Sequence, residues 1–284
     1  MKILVTGGAG FIGSNLIQKL LKLKMNVESI DNYSIGSKKN HVKGAAYHDI
    51  DVNDINYLKN DFELIFHLAG LSRIQPSFKN PTKTFLSNTS GTESLLEWAR
   101  YSNSKIVYSG SSSRHHNPYQ SPYALYKYLG EEICKMYRDS FKMNIEIVRF
   151  YNVYGPNEIL DGKWAAVIGI WRNQIQNNKP LKIIGDGEQR RDFTHVNDIV
   201  DGLIKIGFGE KKYNYSWELG SGRNHSLNEV FEFFDKKFGT KKIHFPDQAG
   251  NYKETIRKDN KAIDLLGWNP NHKLEEYIKN LKSF

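Results

Sequence analysis

The sequence predicts an α/β protein built on a doubly wound parallel sheet, with a smaller α/β domain toward its C-terminus. Three observations lead there. A glycine-rich turn, T-G-G-A-G-F-I-G at 6–13, stands between a short apolar strand and an amphipathic helical pattern. Apolar strand candidates then alternate with helical stretches through residue 150, the pattern of parallel strands joined by crossover helices. An acidic residue, Asp31, closes the second strand eighteen residues beyond Gly13.

Taken in order, Ile3-Leu4-Val5 is the first strand, and Phe11, Ile12, Leu16, Ile17, Leu20 and Leu21 recur at helical spacing. Between them, Gly7, Gly10 and Gly13 permit a tight turn, close approach of a pyrophosphate to the backbone, and close packing of helix on strand. The helix start then offers its amides to phosphate. The second strand, Val27–Ile30, delivers Asp31, whose carboxylate accepts hydrogen bonds from a ribose diol and repels a 2′-phosphate. That favours NAD over NADP, although Lys38 and Lys39 follow closely enough to leave NADP open.

Further strands are predicted at 45–48, 64–68, 105–108 and 145–150, and helices over about 82–101 and 121–140. Ligands of such sheets bind beyond the carboxyl ends of the strands. Asp51-Val52, His67 to Gly70, Ser109 to Ser113 and Asn152 all fall there, so they are expected to converge on one cleft. His67 reads as a structural residue, and Cys134, inside a predicted helix, as core.

Tyr123 and Lys127 share one helical face if S-P-Y-A-L-Y-K is helical, twelve residues beyond Ser111. A fixed cation beside a phenol stabilises the phenolate and brings proton transfer into range near neutrality. On residue frequency alone the pair reads as an exposed helical pair, so its meaning depends on its surroundings.

The bulk numbers exclude several classes. The chain of 284 residues, 39% hydrophobic and 25% charged, is globular, with room for one large or two modest domains. Its net charge of +9 comes from lysines scattered in pairs, such as Lys211-Lys212 and Lys241-Lys242. This reads as solvated surface rather than a nucleic-acid face, while the positive field would speed encounter with a small anionic substrate. Cys134 is the only cysteine, which fits a reducing, cytoplasmic setting. No stretch approaches the roughly 20 apolar residues of a membrane span, so no membrane partner is expected. No metal site is expected either.

The ordered pieces T-G-G-A-G-F-I-G (6–13), D-N-Y-S-I-G (31–36), D-V-N-D (51–54), H-L-A-G (67–70) and N-T-S-G-T (88–92) continue as Y-A-L-Y-K (123–127), R-F-Y-N-V-Y-G-P (149–156), G-D-G-E-Q-R-R-D-F-T-H-V-N-D-I (185–199) and L-G-W-N-P (266–270). Together they resemble the extended short-chain dehydrogenases/reductases, also called the NAD-dependent epimerase/dehydratase family, which act on nucleotide sugars. The resemblance implies a Rossmann-type NAD-binding domain over 1–152 and a substrate-binding domain over 153–284, with about 185–215 crossing back to the first.

The resemblance also implies roles for the matched residues. Gly7, Gly10 and Gly13, with Phe11 and Ile12 between them, would hold the pyrophosphate. Asp31 and Asn32 would meet the adenosine ribose, and Asp51 and Val52 the adenine. Leu68, Ala69, Gly70 and Asn88 would border the cofactor. Tyr123 would be the acid/base, and Lys127 would lower its pKa and bond the nicotinamide ribose. Ser111 would hydrogen-bond the sugar hydroxyl, with Ser112 and Ser113 as neighbouring alternatives. Tyr126 is excluded, being adjacent to Lys127 rather than a turn before it. Asn152 and Arg191 would touch the sugar and its diphosphate, although Arg191 beside Asp192 also suits a surface ion pair.

The implied activity is NAD-dependent 4-epimerisation of a UDP-sugar through a transient 4-keto sugar. A 4,6-dehydratase of this family carries an Asp-Glu pair after the active-site Ser or Thr, and here Ser112 and Ser113 stand instead. A nucleotide-sugar reductase or another dehydratase is the alternative, and a non-catalytic dinucleotide-binding sensor the alternative from another class. The helices near 82–101 and 121–140 match those that pair across a homodimer as a four-helix bundle.

The chain departs from the family in two segments. R-H-H at 114–116 replaces the usual V-Y-G, and only eleven residues separate Ser111 from Tyr123. Arg114, His115 and His116 would either contact an anionic sugar or form a solvated loop, and the solvated loop is favoured. Q-A-G-N at 248–251 replaces an R-x-G-D element that binds diphosphate, leaving Arg257 or Lys253 as candidate substitutes.

Overall fold

The computed structural model describes residues 1–213 and 215–282. Its strands are β1 (Lys2–Thr6), β2 (Asn26–Asp31), β3 (Ala46–Asp49), β4 (Leu64–His67), β5 (Lys105–Ser111), β6 (Asn144–Phe150), β7 (Asn152–Tyr154), β8 (Leu181–Ile184), β9 (Arg190–His195), β10 (Ser216–Leu219), β11 (Asn224–Ser226) and β12 (Lys242–Phe245). The α-helices are α1 (Phe11–Lys22), α2 (Ile74–Lys79), α3 (Pro81–Phe85), α4 (Gly91–Ala99), α5 (Pro122–Phe141), α6 (Val167–Gln176), α7 (Val196–Phe208), α8 (Leu227–Phe238), α9 (Lys261–Leu266) and α10 (Leu274–Lys279).

Seven strands make one parallel sheet in the order β10-β6-β5-β4-β1-β2-β3. The chain leaves β1 toward β2 on one side and returns to β4 on the other, so the order reverses at β1. Such a switch point opens a crevice at the strands' carboxyl ends.

Strand alternation divides the apolar residues between two layers. Ile3, Val5, Leu64, Phe66, Val107 and Val148 pack with α1 and α7 on one face. Leu4, Ile65, Ile106, Tyr108, Ile145 and Ile147 pack with α4 and α5 on the other. Cys134 lies fully buried in that second layer, where burial pushes its thiol pKa up and leaves it unreactive. A third cluster, with Trp171, Phe193, Val230 and Phe234, holds the sheets β11-β9-β7 and β12-β8 with α6, α8 and α10.

The stretch expected to cross back, about 185–215, divides in two. β9 stays with the third cluster, whereas α7 packs on the large sheet and β10 extends it. Ala262 and Trp268 also return to the large sheet's core.

The helix expected over about 82–101 is likewise interrupted. α3 and α4 are joined by a π-helical turn, Leu86–Ser90. Turns of this kind insert a residue into the helix and redirect side chains locally. Here Asn88 points inward, its Oδ1 accepting from Leu71 N at 2.7 Å and its Nδ2 donating to Leu71 O at 2.9 Å. Gly91, just beyond, admits Val52, whose Cγ1 would collide with any added Cβ.

Candidate active site

A cleft of about 700 Å³ runs along the carboxyl ends of β1, β2, β4, β5 and β6 and continues under the C-terminal segments. At one end the turn after β1 brings Gly7, Gly10, Phe11, Ile12 and Gly13 to its wall. Gly7 has φ +74°, which requires glycine, and a Cβ on Gly13 would strike the Gly7 carbonyl oxygen. Gly10 differs: a Cβ there meets only Gly7 O, at 3.1 Å, and otherwise projects into open space. That is where a pyrophosphate can approach the backbone. α1 has no side-chain cap, so its first amides stay available to an anion.

Asp31 lies at the end of β2, 8% exposed and facing the cleft. Its Oδ1 accepts from Tyr33 N at 2.8 Å and its Oδ2 from Ala9 N at 3.0 Å. Burial pushes its carboxyl pKa up, and those two amides oppose the shift. Each oxygen keeps a lone pair for a ribose hydroxyl. Lys38 approaches Asp49 at 3.9 Å and overlies the Tyr33 ring.

Asn32 donates to Asp51, whose other oxygen accepts from the Asn53 amide, so one hydrogen-bonded loop carries Asp51 and Val52 to the cleft. Leu68, Ala69 and Gly70 line it as well. Asn88 does not: it is enclosed, with both amide atoms spent on Leu71, and Ser87 is the residue of that turn facing the cleft. The physical reason is the π-turn, which rotates Asn88 inward. These features fit a dinucleotide: a glycine cradle that a Cβ would fill, a helix start with free amides, and a buried acid with spare acceptors.

At the centre of the cleft, α5 begins with Ser121 capping Ala124 N at 3.1 Å and Pro122 at its first turn. Tyr123 and Lys127 therefore lie one helical turn apart, both on the cleft wall. Tyr123 OH donates to Ser111 Oγ at 3.3 Å, and Lys127 Nζ donates to Ser109 O at 2.9 Å. Ser111 is the last residue of β5, and its Oγ also accepts from Ser113 N. Ser112 and Ser113 line the cleft without a recorded bond to Tyr123.

Burial pushes the Tyr123 phenol above its ordinary value, opposed by the Ser111 hydrogen bond and by the charge of Arg73, not of Lys127. Burial also pulls Lys127 down to about 8. Arg73, which sequence reasoning passed over, is the cation acting there.

Further along, Asn152 lines the cleft, its Nδ2 donating to Thr255 Oγ1 at 3.1 Å. Arg191 lines it too, with Nη1 donating to Arg190 O. The surface ion pair with Asp192 does not form. Asp192 is fully buried and receives the amides of Ser221, Gly222 and Arg257.

The solvated loop expected at 114–116 is not observed either. Arg114 pairs with Glu132 at 2.9 Å and covers the Tyr128 ring, while His115 meets Glu218 at 2.9 Å. Glu218 and Glu131 are in turn held by Arg149. His116 stacks on Tyr252, a residue of the cleft wall. None of the three lines the cleft itself. Gln248 and Asn251 do, whereas Arg257 spends its guanidinium on Gly220 O and Asn260, and exposed Lys253 stands outside. The cations along the wall are Arg73, Lys127, Lys163, Lys182 and Arg191.

The comparisons with known proteins agree with this geometry. Residues 3–207 match the NAD dependent epimerase/dehydratase family. A Methanocaldococcus jannaschii protein, provisionally named UDP-glucose 4-epimerase, is 34% identical, with 98% of this chain and 96% of that protein covered. The Thermotoga maritima UDP-glucose 4-epimerase structure with UDP-glucose has a TM-score of 0.91 at 29% identity, covering 98% and 96%. The Bacillus cereus UDP-glucuronic acid 4-epimerase, in complex with UDP-glucuronic acid and NAD, has a TM-score of 0.89 at 29% identity, covering 98% and 97%. The chain belongs to the NAD-dependent epimerase/dehydratase family of extended short-chain dehydrogenases/reductases and is an NAD-dependent enzyme.

Proposed function

We propose that the protein is a nucleotide-sugar 4-epimerase acting on a UDP-sugar, with Tyr123 as its acid/base. The observation that carries this reading is the Ser111–Tyr123 hydrogen bond at the centre of a cleft that has a dinucleotide cradle at one end and Arg191 at the other. The names of the similar proteins supply the substrate class, UDP-linked sugars.

In this reading Gly7, Gly10 and Gly13 hold the NAD pyrophosphate, Asp31 the adenosine ribose, and Asp51 and Val52 the adenine. NAD supplies reversible hydride acceptance. Ser111 orients the C4 hydroxyl, and Tyr123 takes its proton as the sugar is oxidised, then returns a proton to the ketone oxygen after the ring has turned. Lys127 holds the nicotinamide ribose. Asn152 and Arg191 anchor the sugar and the diphosphate. Ser112 and Ser113 hold the place where a dehydratase needs carboxylates, so elimination lacks its second acid/base pair.

Incubation with UDP-hexoses, UDP-N-acetylhexosamines and UDP-hexuronates, followed by NMR of the products, is expected to show one pair of C4 epimers approaching equilibrium without added NADH. Stoichiometric use of added NADH, or no interconversion of any sugar, overturns the reading.

We also infer a homodimer located in the cytoplasm. Phe85, Leu86, Met136 and Phe141 expose apolar surface within or beside the stretches near 82–101 and 121–140, which are expected to form a four-helix bundle. Sedimentation is expected to give about twice the mass of one chain, and a monomer at micromolar concentration overturns the assembly.

A further inference from the structure

Arg73 has no role in the reaction as described, and three features single it out. Its backbone adopts φ +101°, a left-handed conformation that glycine tolerates and a longer side chain adopts only under strain. Its partly buried guanidinium is turned into the protein, lining the cleft and donating through Nε to Trp164 O at 3.1 Å. Among the described residues no carboxylate forms an ion pair with it. Glu158, whose charge it feels, is already paired with Arg172 at 2.7 Å.

A guanidinium carries five donors in a planar fork that matches a carboxylate. Arg73, a residue of the cleft wall, spends one of these on the Trp164 carbonyl, and among the described residues no other hydrogen bond engages its guanidinium. Burial lowers its pKa more than the charge of Glu158 raises it, so a bound anion would satisfy a cation that no carboxylate pairs with. The location is also restricted. Arg73 lines the same cleft as Tyr123, and its charge opposes the upward shift of the Tyr123 phenol.

We propose that Arg73 is a specificity-determining residue that reads a negative charge on the sugar, so that the cleft prefers nucleotide sugars whose ring bears a carboxylate. The inference rests on the nucleotide-sugar reading of the cleft and extends it to a substrate class. Arg73 contacts the carboxylate through the fork, and the carboxylate supplies the counter-charge that the protein withholds.

The test measures dissociation constants of UDP-glucuronate and UDP-glucose for the NAD-loaded enzyme, in the natural protein, Arg73→Gly and Arg73→Lys. Glycine suits φ +101°, so Arg73→Gly is expected to melt no lower than the natural protein, which separates loss of charge from loss of fold. The natural protein is expected to favour UDP-glucuronate by about tenfold or more, Arg73→Gly to bring the ratio near one, and Arg73→Lys to keep part of it. Equal affinity for the two sugars in the natural protein overturns the proposal. So does a preference that survives in Arg73→Gly. If neither sugar binds, the nucleotide-sugar reading fails and this inference fails with it. If UDP-glucuronate binds in the expected ratio but no epimer forms, the epimerase reading alone fails and the assignment of Arg73 stands.

Discussion

Tyr123→Phe is expected to lower kcat at least about a hundredfold while leaving the melting temperature and NAD affinity close to those of the natural protein. The substitution removes one oxygen. The ring keeps its place at the start of α5, and among the described residues the hydroxyl bonds Ser111 alone, at 3.3 Å. Little folding free energy is therefore at stake, but the proton of the sugar hydroxyl loses its acceptor. The pH profile gives a second readout. Burial raises the phenol above its ordinary value, and only the phenolate can accept the proton. The fraction in that form grows with pH, so kcat/KM of the natural enzyme should rise across the neutral range as long as the phenol titrates above it. Tyr123→Phe should show no such rise. Near-normal turnover in the variant would remove Tyr123 from the chemistry.

The parts of this site that were legible in the sequence are those whose chemistry depends on local backbone geometry. Gly7 and Gly13 could be read because a positive φ and a backbone-to-backbone approach each exclude a Cβ whatever the rest of the chain does. Asp31 and Ser111 could be read because a parallel sheet delivers the ends of its strands to one edge. What could not be read depends on which side chains meet across long separations. Nothing near Arg114 and His115 announces that Glu131, Glu132 and Glu218 will enclose them, since those partners arrive from α5 and β10. The inward turn of Asn88 is equally hidden, because a π-turn leaves the helical pattern of apolar residues nearly intact.

Arg73 is an intermediate case. The rule that strand ends carry function points to the loop after β4, so its position could have been flagged, but its strain and its lack of a carboxylate partner are properties of the folded chain. The same holds for Lys182 and Tyr252, which reach the cleft from β8 and from the loop before α9. No periodicity marks them.

His67 gives the second large expected effect, on stability against pH. It is 1% exposed at the end of β4, and its bonds form a chain with one consistent direction. Ala69 N donates to Thr6 Oγ1, and Thr6 then donates to His67 Nδ1 at 2.8 Å. His67 Nε2 carries the proton toward Thr92 Oγ1 at 3.1 Å, and Thr92 donates to Asn88 O at 2.9 Å. This assigns the tautomer from the network. A second ring proton would need Thr6 to reverse, so the cation is excluded, and burial, with some help from the charge of Lys127, lowers the pKa to about 3. The unfolded chain binds that proton near the ordinary value of about 6.5. Between those values the unfolded state holds one more proton than the folded state, so stability falls as pH drops from 6.5 toward 3. The loss is about 1.4 kcal/mol per pH unit and about 3 to 5 kcal/mol over the window. Urea unfolding at pH 7, 6, 5 and 4 of the natural protein and of His67→Gln isolates this contribution, because the carboxylates and His195 titrate in both. Glutamine can still bridge Thr6 and Thr92 but takes up no proton. The natural protein should therefore lose stability more steeply than the variant below pH 6.5. Parallel slopes would mean that His67 takes up the proton in the folded state as well, with Nδ1 then donating to Thr6 Oγ1.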